Sequence, residues 1–279
     1  MAGHLFANGK QGGIVDDRGK FYKALQRGPR GEREVAFYEH AWPQLSGAGP
    51  GPGPGPGPGP GPAPALVGLV PRYFGQKSIM GNVYIELEDV TRDYRQPSII
   101  DIKVGFRTWY DSADEVYIER CKQKDASSTI AALGFKICGM QVYQKSRDEY
   151  ARASKQWCKR HLTGPESVRE ALRTFARNGA GLHERNLYGG AGGFLRILGE
   201  IEDVFKGQRD YHFYSSSVLL IYEGTATTPE DANLSVKLID FAHALEADGS
   251  RDENFLAGLR GLQDGLRAIL AGPDGDEEE

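Results

Sequence analysis

A strict Gly-Pro alternation runs from Gly49 to Pro62, and it limits what this chain can fold into more than any other feature. Proline removes main-chain donors and glycine adds conformational entropy, so the segment cannot form a packed helix or strand. Its period of two excludes a collagen triple helix, which needs a period of three. We expect a flexible insert at residues 47–65, with a proline-rich docking site as the alternative.

The sequence around this insert predicts a small lobe over residues 1–90. Charges cluster at the start of the predicted helix, and Val35, Tyr38, Glu39 and Trp42 recur within it at three- and four-residue spacing. The predicted elements are two short strands within Gly13–Leu25, a helix over Arg30–Leu45, and strands over Val67–Phe74 and Asn82–Leu87. The order strand, strand, helix, strands is the layout of a small kinase-type N-terminal lobe.

Residues 91–272 predict a larger lobe of mixed strands and helices, followed by a frayed acidic tail at 273–279. The predicted strands are Ser98–Val104, Phe135–Tyr143, Tyr211–Tyr222 and Ser235–Phe241. The predicted helices are Asp114–Lys124, Gly164–Arg177, Phe194–Lys206 and Asn254–Leu270. The chain as a whole is therefore expected to be an α+β protein of two lobes.

Composition limits the classes of partner. A net charge of −4 gives no overall basic footprint for nucleic acid, so a polyanionic partner would need a local basic pocket. The three cysteines, Cys121, Cys138 and Cys158, are too widely spaced for a disulfide framework or a structural zinc site. We see no signal peptide and no apolar run of membrane-spanning length. A soluble protein of the nucleus or cytoplasm is expected, without stable membrane insertion.

Lys23 and Glu34 are a candidate nucleotide-binding pair. Lys23 lies in a strand-like run and Glu34 lies on the following helix, an arrangement that protein kinases use to hold a cation on the nucleotide phosphates. Spacing alone fits equally an exposed strand lysine and a solvated helix glutamate. The Gly-x-Gly-x-x-Gly loop of protein kinases is missing, so a different hairpin would have to cover the phosphates.

Two further segments carry residues suited to phosphoryl transfer. Asp101 and Lys103 are two apart on a predicted strand, so both side chains face one side, where they could orient a hydroxyl and neutralise a moving phosphoryl group. Asp240 follows an apolar strand and could bind Mg²⁺, with His243 beside it. A surface ion pair, a turn aspartate and a structural histidine are the alternatives.

Basic residues after the first of these segments could bind phosphate groups. Arg120 and Lys124 are four apart and share one face of a predicted helix. Lys155, Lys159 and Arg160 form a second basic run with no acid between them. Phosphates are bound by several such charge-assisted donors, although a solvated basic face has the same pattern.

Taken together, these motifs resemble the inositol polyphosphate kinase family. Its Pro-x-x-x-Asp-x-Lys-x-Gly signature is matched from Pro97 to Gly105, and its Ile-Asp-Phe-Ala-His motif from Ile239 to His243. A Ser-Ser-Leu-Leu-like strand is matched by Ser216-Ser217-Val218-Leu219. Within the family the chain looks most similar to the plant-type multikinases, on segments such as Arg107-Thr108-Trp109-Tyr110 and Leu187-Tyr188-Gly189-Gly190.

The resemblance implies a two-lobed fold of the protein-kinase-like or ATP-grasp-like type, with ATP and Mg²⁺ bound between the lobes. Lys23 would contact the nucleotide phosphates and Glu34 would support it. Glu88 and Val90 would offer main-chain groups to adenine, Asp101 would touch the ribose or the reacting hydroxyl, and Asp240 would hold Mg²⁺. The implied substrate-binding residues are Lys103, Arg120, Lys124, Gln156 and His243.

The activity that the resemblance implies is transfer of the ATP γ-phosphate to inositol 1,4,5-trisphosphate and to its tetrakisphosphate product, at the 6- and 3-positions. Three alternatives stay open. They are an inositol hexakisphosphate kinase that makes pyrophosphates, a phosphatidylinositol 4,5-bisphosphate 3-kinase, and a non-catalytic phosphoinositide-binding scaffold. A monomer is expected, with ATP and inositol polyphosphates as its partners.

Overall fold

The structure is a computed structural model, and it describes residues 13–16, 18–42 and 64–272. A four-stranded antiparallel sheet, in the order β1-β2-β4-β3, forms its N-terminal part. The strands are β1 (Ile14–Val15), β2 (Lys20–Ala24), β3 (Tyr73–Ile79) and β4 (Asn82–Glu88). The two short strands predicted around the Asp-Arg-Gly turn and the strand at Asn82–Leu87 are confirmed.

Helix α1 (Pro29–Ala41) lies between β2 and β3 in the chain. Its buried residues Glu34, Phe37, Tyr38 and Ala41 follow helical spacing and turn one face toward the core. The helix ends at Ala41, with Trp42 as its C-cap, four residues before the predicted end. Pro43 comes next in the sequence, and a proline disfavours helical conformation at the residue before it.

The strand predicted over Val67–Phe74 is wrong. A short helix, α2 (Pro64–Val67), occupies the start of that segment, and β3 begins only at Tyr73. Leu66 and Val70 are buried in the core, and the main-chain oxygen of Leu69 accepts a hydrogen bond from Leu238 at 2.8 Å. The predicted insert at 47–65 lies outside the described residues up to 63, and the acidic tail at 273–279 lies outside them entirely.

The second sheet has five antiparallel strands in the order β10-β9-β5-β6-β7, and a two-stranded sheet pairs β8 with β11. These strands are β5 (Pro97–Val104), β6 (Phe135–Gln144), β7 (Glu149–Ala153), β8 (Tyr211–Phe213), β9 (Ser217–Glu223), β10 (Ser235–Ile239) and β11 (Ala244–Glu246). The helices are α3 (Glu115–Ala126), α4 (Ile130–Leu133), α5 (Lys155–His161), α6 (Pro165–Ala176), α7 (Glu184–Tyr188), α8 (Phe194–Gly207) and α9 (Glu253–Leu270). A 3₁₀ turn covers Glu230–Ala232.

The central strand β5 divides its side chains between two environments. Ile100, Ile102 and Val104 belong to the main hydrophobic core, where α6 and α9 pack against the sheet. Ile99 belongs to a separate small cluster with Val90, Leu219, Ile221 and Ile239. Because successive strand residues point to opposite faces, Asp101 and Lys103 lie on the face of Ile99, away from the main core.

The single strand predicted over Tyr211–Tyr222 is two strands in two different sheets. The strand conformation is interrupted between β8 and β9, where Ser215 has a left-handed φ of 58°. The strand predicted to reach Phe241 also stops early, at Ile239, because Asp240 has a left-handed φ of 67°. Both breaks adjoin the face of the large sheet that carries Asp101 and Lys103, which we call its front face.

Gly105, the last residue of the Pro97 motif, ends β5 at a place where a side chain would not fit. Its φ is 114°, and a Cβ there would lie 2.7 Å from Nδ2 of Asn254 in the first turn of α9. A Cβ on Gly258 would lie 2.2 Å from the main-chain nitrogen of Gly105. The two glycines let α9 lie directly against the end of β5 and fix the strand that carries Asp101 and Lys103.

Candidate functional site

A cavity of about 620 Å³ lies between the N-terminal sheet and the front face of the large sheet, and residues of both line it. Six predicted site residues line this cavity, namely Lys23, Lys103, Arg120, Lys124, Asp240 and His243. Five do not, namely Glu34, Glu88, Val90, Asp101 and Gln156. The fold therefore brings together residues from β2, β5 and α3 with the segment after β10.

Lys23 connects the two parts of the molecule through two carboxylates. Its Nζ lies 2.6 Å from Oε1 of Glu34 and 2.6 Å from Oδ1 of Asp240. Burial lowers the pKa of Lys23, but the charges of Asp240 and Glu34 outweigh burial and raise it above its usual value. Burial likewise works against ionisation of Asp240, yet Lys23 and Lys103 hold the pKa of its carboxyl well below the usual range. Lysine and aspartate are thus both charged.

Glu34 is the support of this pair. Its side chain is buried, and Oε1 accepts hydrogen bonds from Lys23 and, at 3.2 Å, from the main-chain nitrogen of Phe241. Oε2 has no hydrogen-bond partner in the part of the chain that the structure describes. Glu34 therefore fixes Lys23 and the Asp240 segment at once, from a position behind the cavity wall.

Asp240 is held in a strained main-chain conformation. Its φ of 67° is uncommon for a residue with a side chain, although aspartate tolerates it better than most. Its main-chain oxygen accepts a hydrogen bond from Oγ of Ser216 at 2.9 Å, which ties the strained residue to β9. Strain of this kind persists where surrounding structure enforces it, often at functional sites.

Asp101 and Lys103 occupy the centre of the front face. Asp101 is 4% exposed, and its Oδ1 has no hydrogen-bond partner among the described residues. Nζ of Lys103 donates to the main-chain oxygen of Ser215, at the break between β8 and β9. A buried carboxylate oxygen without a partner calls for an external donor, such as a ligand hydroxyl.

The segment that ends β4 lies behind the cavity lining. The side chain of Glu88 accepts a hydrogen bond from the main-chain nitrogen of Arg72 at 3.1 Å, and its own nitrogen donates to the oxygen of Arg72 at 2.8 Å. Within the described chain, the main-chain nitrogen of Val90 has no hydrogen-bond partner. The Val90 side chain is buried beside Ile99 and Leu219. This leaves one main-chain donor available next to an apolar wall.

His243 lies among cations and aromatic rings. Burial, and then the charges of Arg30, Lys103 and Arg33, lower the pKa of His243 to about 4, so its ring is neutral at neutral pH. The ring stacks on Tyr117 with centroids 5.7 Å apart. Among the described residues Nδ1 is buried without a hydrogen-bond partner. A neutral imidazole can accept or donate one hydrogen bond to a substrate.

Two guanidinium groups from different parts of the fold lie over the ring of Tyr117. The guanidinium carbon of Arg30, on α1, lies 5.7 Å from the Tyr117 ring centroid, and that of Arg120, on α3, lies 5.5 Å from it. Both distances are within the range of a cation–π contact. The stacking holds two positive charges over one ring beside the cavity.

The predicted basic residues divide between cavity and surface. Arg120 and Lys124 are on α3 and line the cavity, whereas Gln156 is exposed on α5 outside the lining. Four basic residues that were not committed as site residues also line it, namely Arg30, Lys136, Lys155 and Lys159. In the sequence, Lys155 and Lys159 belong to a basic run without acids, and that pattern could have identified them as site residues. The signal for Lys136 was a single charge within the apolar Phe135–Tyr143 strand.

The cavity has the opposite charge balance to the whole chain. Among the described residues that line it, eight are lysine or arginine and two, Asp125 and Asp240, are acidic, while the chain carries a net charge of −4. Asp125 is buried and accepts hydrogen bonds from Thr108, so it faces a neutral partner. The cavity is a local basic pocket suited to a polyanion.

Of the two described acidic residues that line the cavity, Asp240 is the one whose carboxylate a divalent cation could reach, because Asp125 is buried and bonded to Thr108. Lys23 uses one oxygen of Asp240, and the aspartate side chain is 32% exposed. In the part of the chain described, no group of three or more His, Cys, Asp or Glu residues could hold a metal ion. Asp240 fits Mg²⁺ only together with ligand phosphates, which is the usual mode of Mg²⁺ binding in phosphoryl transfer.

These features define a class of protein, a phosphotransferase with a basic cleft. The comparison with family models gives the particular family, because residues 84–267 match the one described as inositol polyphosphate kinase. The chain belongs to the inositol polyphosphate kinase family, which confirms the resemblance seen in its motifs. It is accordingly a kinase, an enzyme that phosphorylates an alcohol acceptor.

Three relatives cover between 72% and 98% of this chain. Inositol polyphosphate multikinase alpha of Arabidopsis thaliana is 34% identical over 98% of this chain and 95% of its own length. A solved inositol phosphate multikinase superposes with a TM-score of 0.63 and 34% identity, over 72% of this chain and 90% of that one. The S. cerevisiae inositol phosphate multikinase, solved with ADP and Mn²⁺, has a TM-score of 0.66, 22% identity and coverage of 90% and 99%.

These structures confirm the predicted α+β kinase fold. No helix among the described residues is long and apolar enough to cross a membrane.

Proposed function

We propose that this protein is an ATP-dependent inositol polyphosphate multikinase. It transfers the γ-phosphate of ATP to inositol 1,4,5-trisphosphate and then to the tetrakisphosphate product, at the 6- and 3-hydroxyls. The observation that carries this proposal is the charge arrangement of the cavity. The charged pair of Lys23 and Asp240 lines the same cavity as the basic residues Arg120 and Lys124.

The nucleotide occupies the side of the cavity next to the N-terminal sheet. The main-chain nitrogen of Val90, which has no hydrogen-bond partner among the described residues, donates to the adenine, with Glu88 holding the segment against Arg72. Lys23 contacts the phosphates, and Glu34 keeps its ammonium in place. Asp101 accepts a hydrogen bond from the ribose or from the reacting hydroxyl, which supplies the donor that its buried Oδ1 lacks.

Asp240 binds the divalent cation, and Mg²⁺ is the ion we propose for this enzyme. Mg²⁺ held by Asp240 would neutralise charge on the transferred group. The S. cerevisiae relative was solved with Mn²⁺ and ADP, an ion and a nucleotide of the same kinds. The single carboxylate of Asp240 suits an ion whose other ligands come from the nucleotide and water.

The acceptor lies on the basic side of the cavity. Lys103 contacts the acceptor hydroxyl and the transferred phosphate from β5, which is separated by β9 from the strand that precedes Asp240. Arg120 and Lys124 bind ring phosphates from α3, neutral His243 gives one hydrogen bond, and Gln156 stays a predicted substrate contact at the rim. In-line transfer then depends on positioning and charge neutralisation more than on covalent chemistry.

Product analysis tests this function. The purified protein is incubated with ATP, Mg²⁺ and inositol 1,4,5-trisphosphate, and the products are separated by anion-exchange chromatography. Tetrakis- and pentakisphosphate are expected in that order. Consumption of inositol hexakisphosphate instead would favour the pyrophosphate-forming kinase, and phosphorylation of phosphatidylinositol 4,5-bisphosphate in liposomes would favour the lipid kinase. Binding of inositol trisphosphate without ATP consumption would favour a scaffold.

Three further features belong to the same proposal. We propose a monomer of the nucleus or cytoplasm, since nothing in this mechanism needs a second copy of the chain. The proposed lobe boundary lies near residue 90, between β4 and β5, where the N-terminal sheet ends. Lys23 lies on the N-terminal side of this boundary, and Asp101, Asp240 and the acceptor-binding residues lie after it.

A further inference from the structure

Lys136 lies opposite Lys103 on the neighbouring strand of the large sheet. The two residues are register partners in the antiparallel pairing of β5 with β6. Side chains of directly opposite partners have Cβ atoms about 5 Å apart on the same face, and like charges placed there destabilise the sheet. Both lysines line the cavity. A repulsive pair at the centre of a sheet therefore needs an explanation beyond folding.

In the described part of the chain, no ion pair to Lys103 or Lys136 compensates this repulsion. Among the described residues, no carboxylate lies within ion-pair distance of Lys136, and Lys155 is a further cation nearby. The charge of Asp125 favours the protonated form of Lys136 and raises its pKa, but the carboxylate of Asp125 is already hydrogen-bonded to Thr108. Lys136 is half-buried, and burial, followed by the charges of Lys103 and Lys155, lowers its pKa. An anion beside Lys136 would offset the cost of burying its charge and the repulsion from Lys103 and Lys155.

The sheet order places this anion on the acceptor side of the cavity. Asp240 follows β10, Lys103 is on β5 and Lys136 is on β6, in the order β10-β9-β5-β6. Neighbouring strands are about 4.8 Å apart, so Lys136 lies one strand further than Lys103 from the proposed metal site. The nucleotide phosphates are at the Lys23 and Asp240 side. The anion beside Lys136 is thus a group on the acceptor.

We propose that Lys136, with Lys103 and Lys155, forms a subsite for a ring phosphate of the inositol substrate, distinct from the phosphate that is transferred. This inference rests on the proposed function, which it deepens by assigning a specificity-determining residue on β6. Lys155 closes the subsite from α5. The ammonium of Lys136 donates directly to phosphate oxygens, as charged lysines do at polyanion sites.

Kinetics of Lys136→Met test this subsite, because methionine keeps the length and apolar stem of the side chain and removes the charge. One charged hydrogen bond to phosphate is worth a factor of about 10 to 100 in affinity. We expect the KM for inositol 1,4,5-trisphosphate to rise by about that factor, while the KM for ATP stays within about twofold. Lys136→Arg, which keeps the charge, should retain most of the affinity. Lys145→Met, exposed just beyond the end of β6, is the matched control.

Thermal unfolding without ATP gives a second measurement that does not depend on turnover. Removal of a like-charge pair should leave the Tm of free Lys136→Met equal to or above that of the wild type. The increase in Tm caused by inositol 1,4,5-trisphosphate should be smaller in the variant, since the stabilisation by a bound ligand decreases as its affinity falls. A lysine with a purely structural role would instead lower the Tm and leave the substrate-induced increase unchanged.

The outcomes separate the subsite from the proposed function. An unchanged KM for the inositol substrate, or a matching rise in the KM for ATP, overturns the subsite in an active enzyme. If the wild type shows no turnover, the proposed function fails, and an equal trisphosphate-induced increase in Tm for wild type and Lys136→Met overturns the subsite as well. If Lys136→Met does not fold, Lys155→Met on the exposed face of α5 replaces it, and an unchanged trisphosphate KM there overturns the proposal.

Discussion

Replacement of Asp240 by asparagine should separate catalysis from folding. Asparagine has the same shape as aspartate and tolerates the left-handed φ of 67° about as well. The hydrogen bond from Oγ of Ser216 to the main-chain oxygen of residue 240 does not involve the side chain. What the substitution removes is the negative charge that lies 2.6 Å from Nζ of Lys23 and that we propose binds Mg²⁺.

The expected loss of stability is small. Lys23 keeps its second partner, Glu34, whose side chain is 1% exposed and 2.6 Å away. The lost pair is partly solvated, since the side chain of Asp240 is 32% exposed, so its contribution is about 1 kcal/mol rather than the larger value of a fully buried pair. For a chain of this size that corresponds to a fall in Tm of about 2–4 °C.

The expected loss of activity is large. Removal of a group that stabilises charge in the transition state typically costs a factor of about 10² to 10³ in kcat, or about 3–4 kcal/mol. Initial rates at saturating ATP, Mg²⁺ and inositol 1,4,5-trisphosphate measure it, beside thermal unfolding of the same preparation. Asp203→Asn on the solvated side of α8 is the control, because Asp203 is 75% exposed and, within the described part of the chain, pairs with Lys206 alone. A kcat within about tenfold of the wild type would refute the metal assignment, and a large fall in Tm would show a structural role instead.

Three other predictions address the acceptor side. Lys124→Ala should raise the KM for inositol 1,4,5-trisphosphate about tenfold with little change in kcat, because Lys124 lines the cavity and binds ground state and transition state alike; an unchanged KM would show that it is only solvated. Asp101→Asn should lower kcat about 100-fold in initial-rate assays. It should also raise the Tm by a few degrees, since the carboxylate is buried with an oxygen that has no partner among the described residues. A lowered Tm in unfolding scans would contradict this reasoning. The folded structure lowers the pKa of His243 to about 4. Between about pH 6.5 and 4 the unfolded chain binds a proton at this residue and the folded chain does not, so the free energy of unfolding decreases as the pH drops through this range. Over that range the wild type should lose about 1–3 kcal/mol more than His243→Asn in denaturant titrations, allowing for the partly solvated ring, and equal losses would contradict a depressed pKa.

Sequence patterns predicted the elements wherever local periodicity decided the structure. The strand at Ser98–Val104 and the helix at Asn254–Leu270 have the predicted type and nearly the predicted ends. The errors occur where tertiary contacts override local propensity. Val67–Phe74 is apolar enough for a strand, but a helical turn extends to Val67, and Val70 is buried in the core before β3 begins at Tyr73.

The site was predictable as a set of chemical groups but not as an arrangement. Period-two alternation placed Asp101 and Lys103 on one face, and the structure has them there. No local pattern could show that Lys23 reaches Asp240, because 217 residues separate the two and only the closure of one sheet over the other joins them. The opposition of Lys136 to Lys103 depends on strand register, which one sequence does not fix by itself.

The two sides of the cavity balance charge in opposite ways. On the nucleotide side, Lys23 is neutralised by Glu34 and Asp240 before any ligand binds, so this part of the site is already ordered. On the acceptor side, Lys103, Lys136 and Lys155 have no carboxylate within ion-pair distance among the described residues. Their mutual repulsion is relieved only when a polyanion binds. The free energy released by that relief adds to the affinity for substrates with several phosphates, and it gives an acidic protein a site selective for highly charged acceptors.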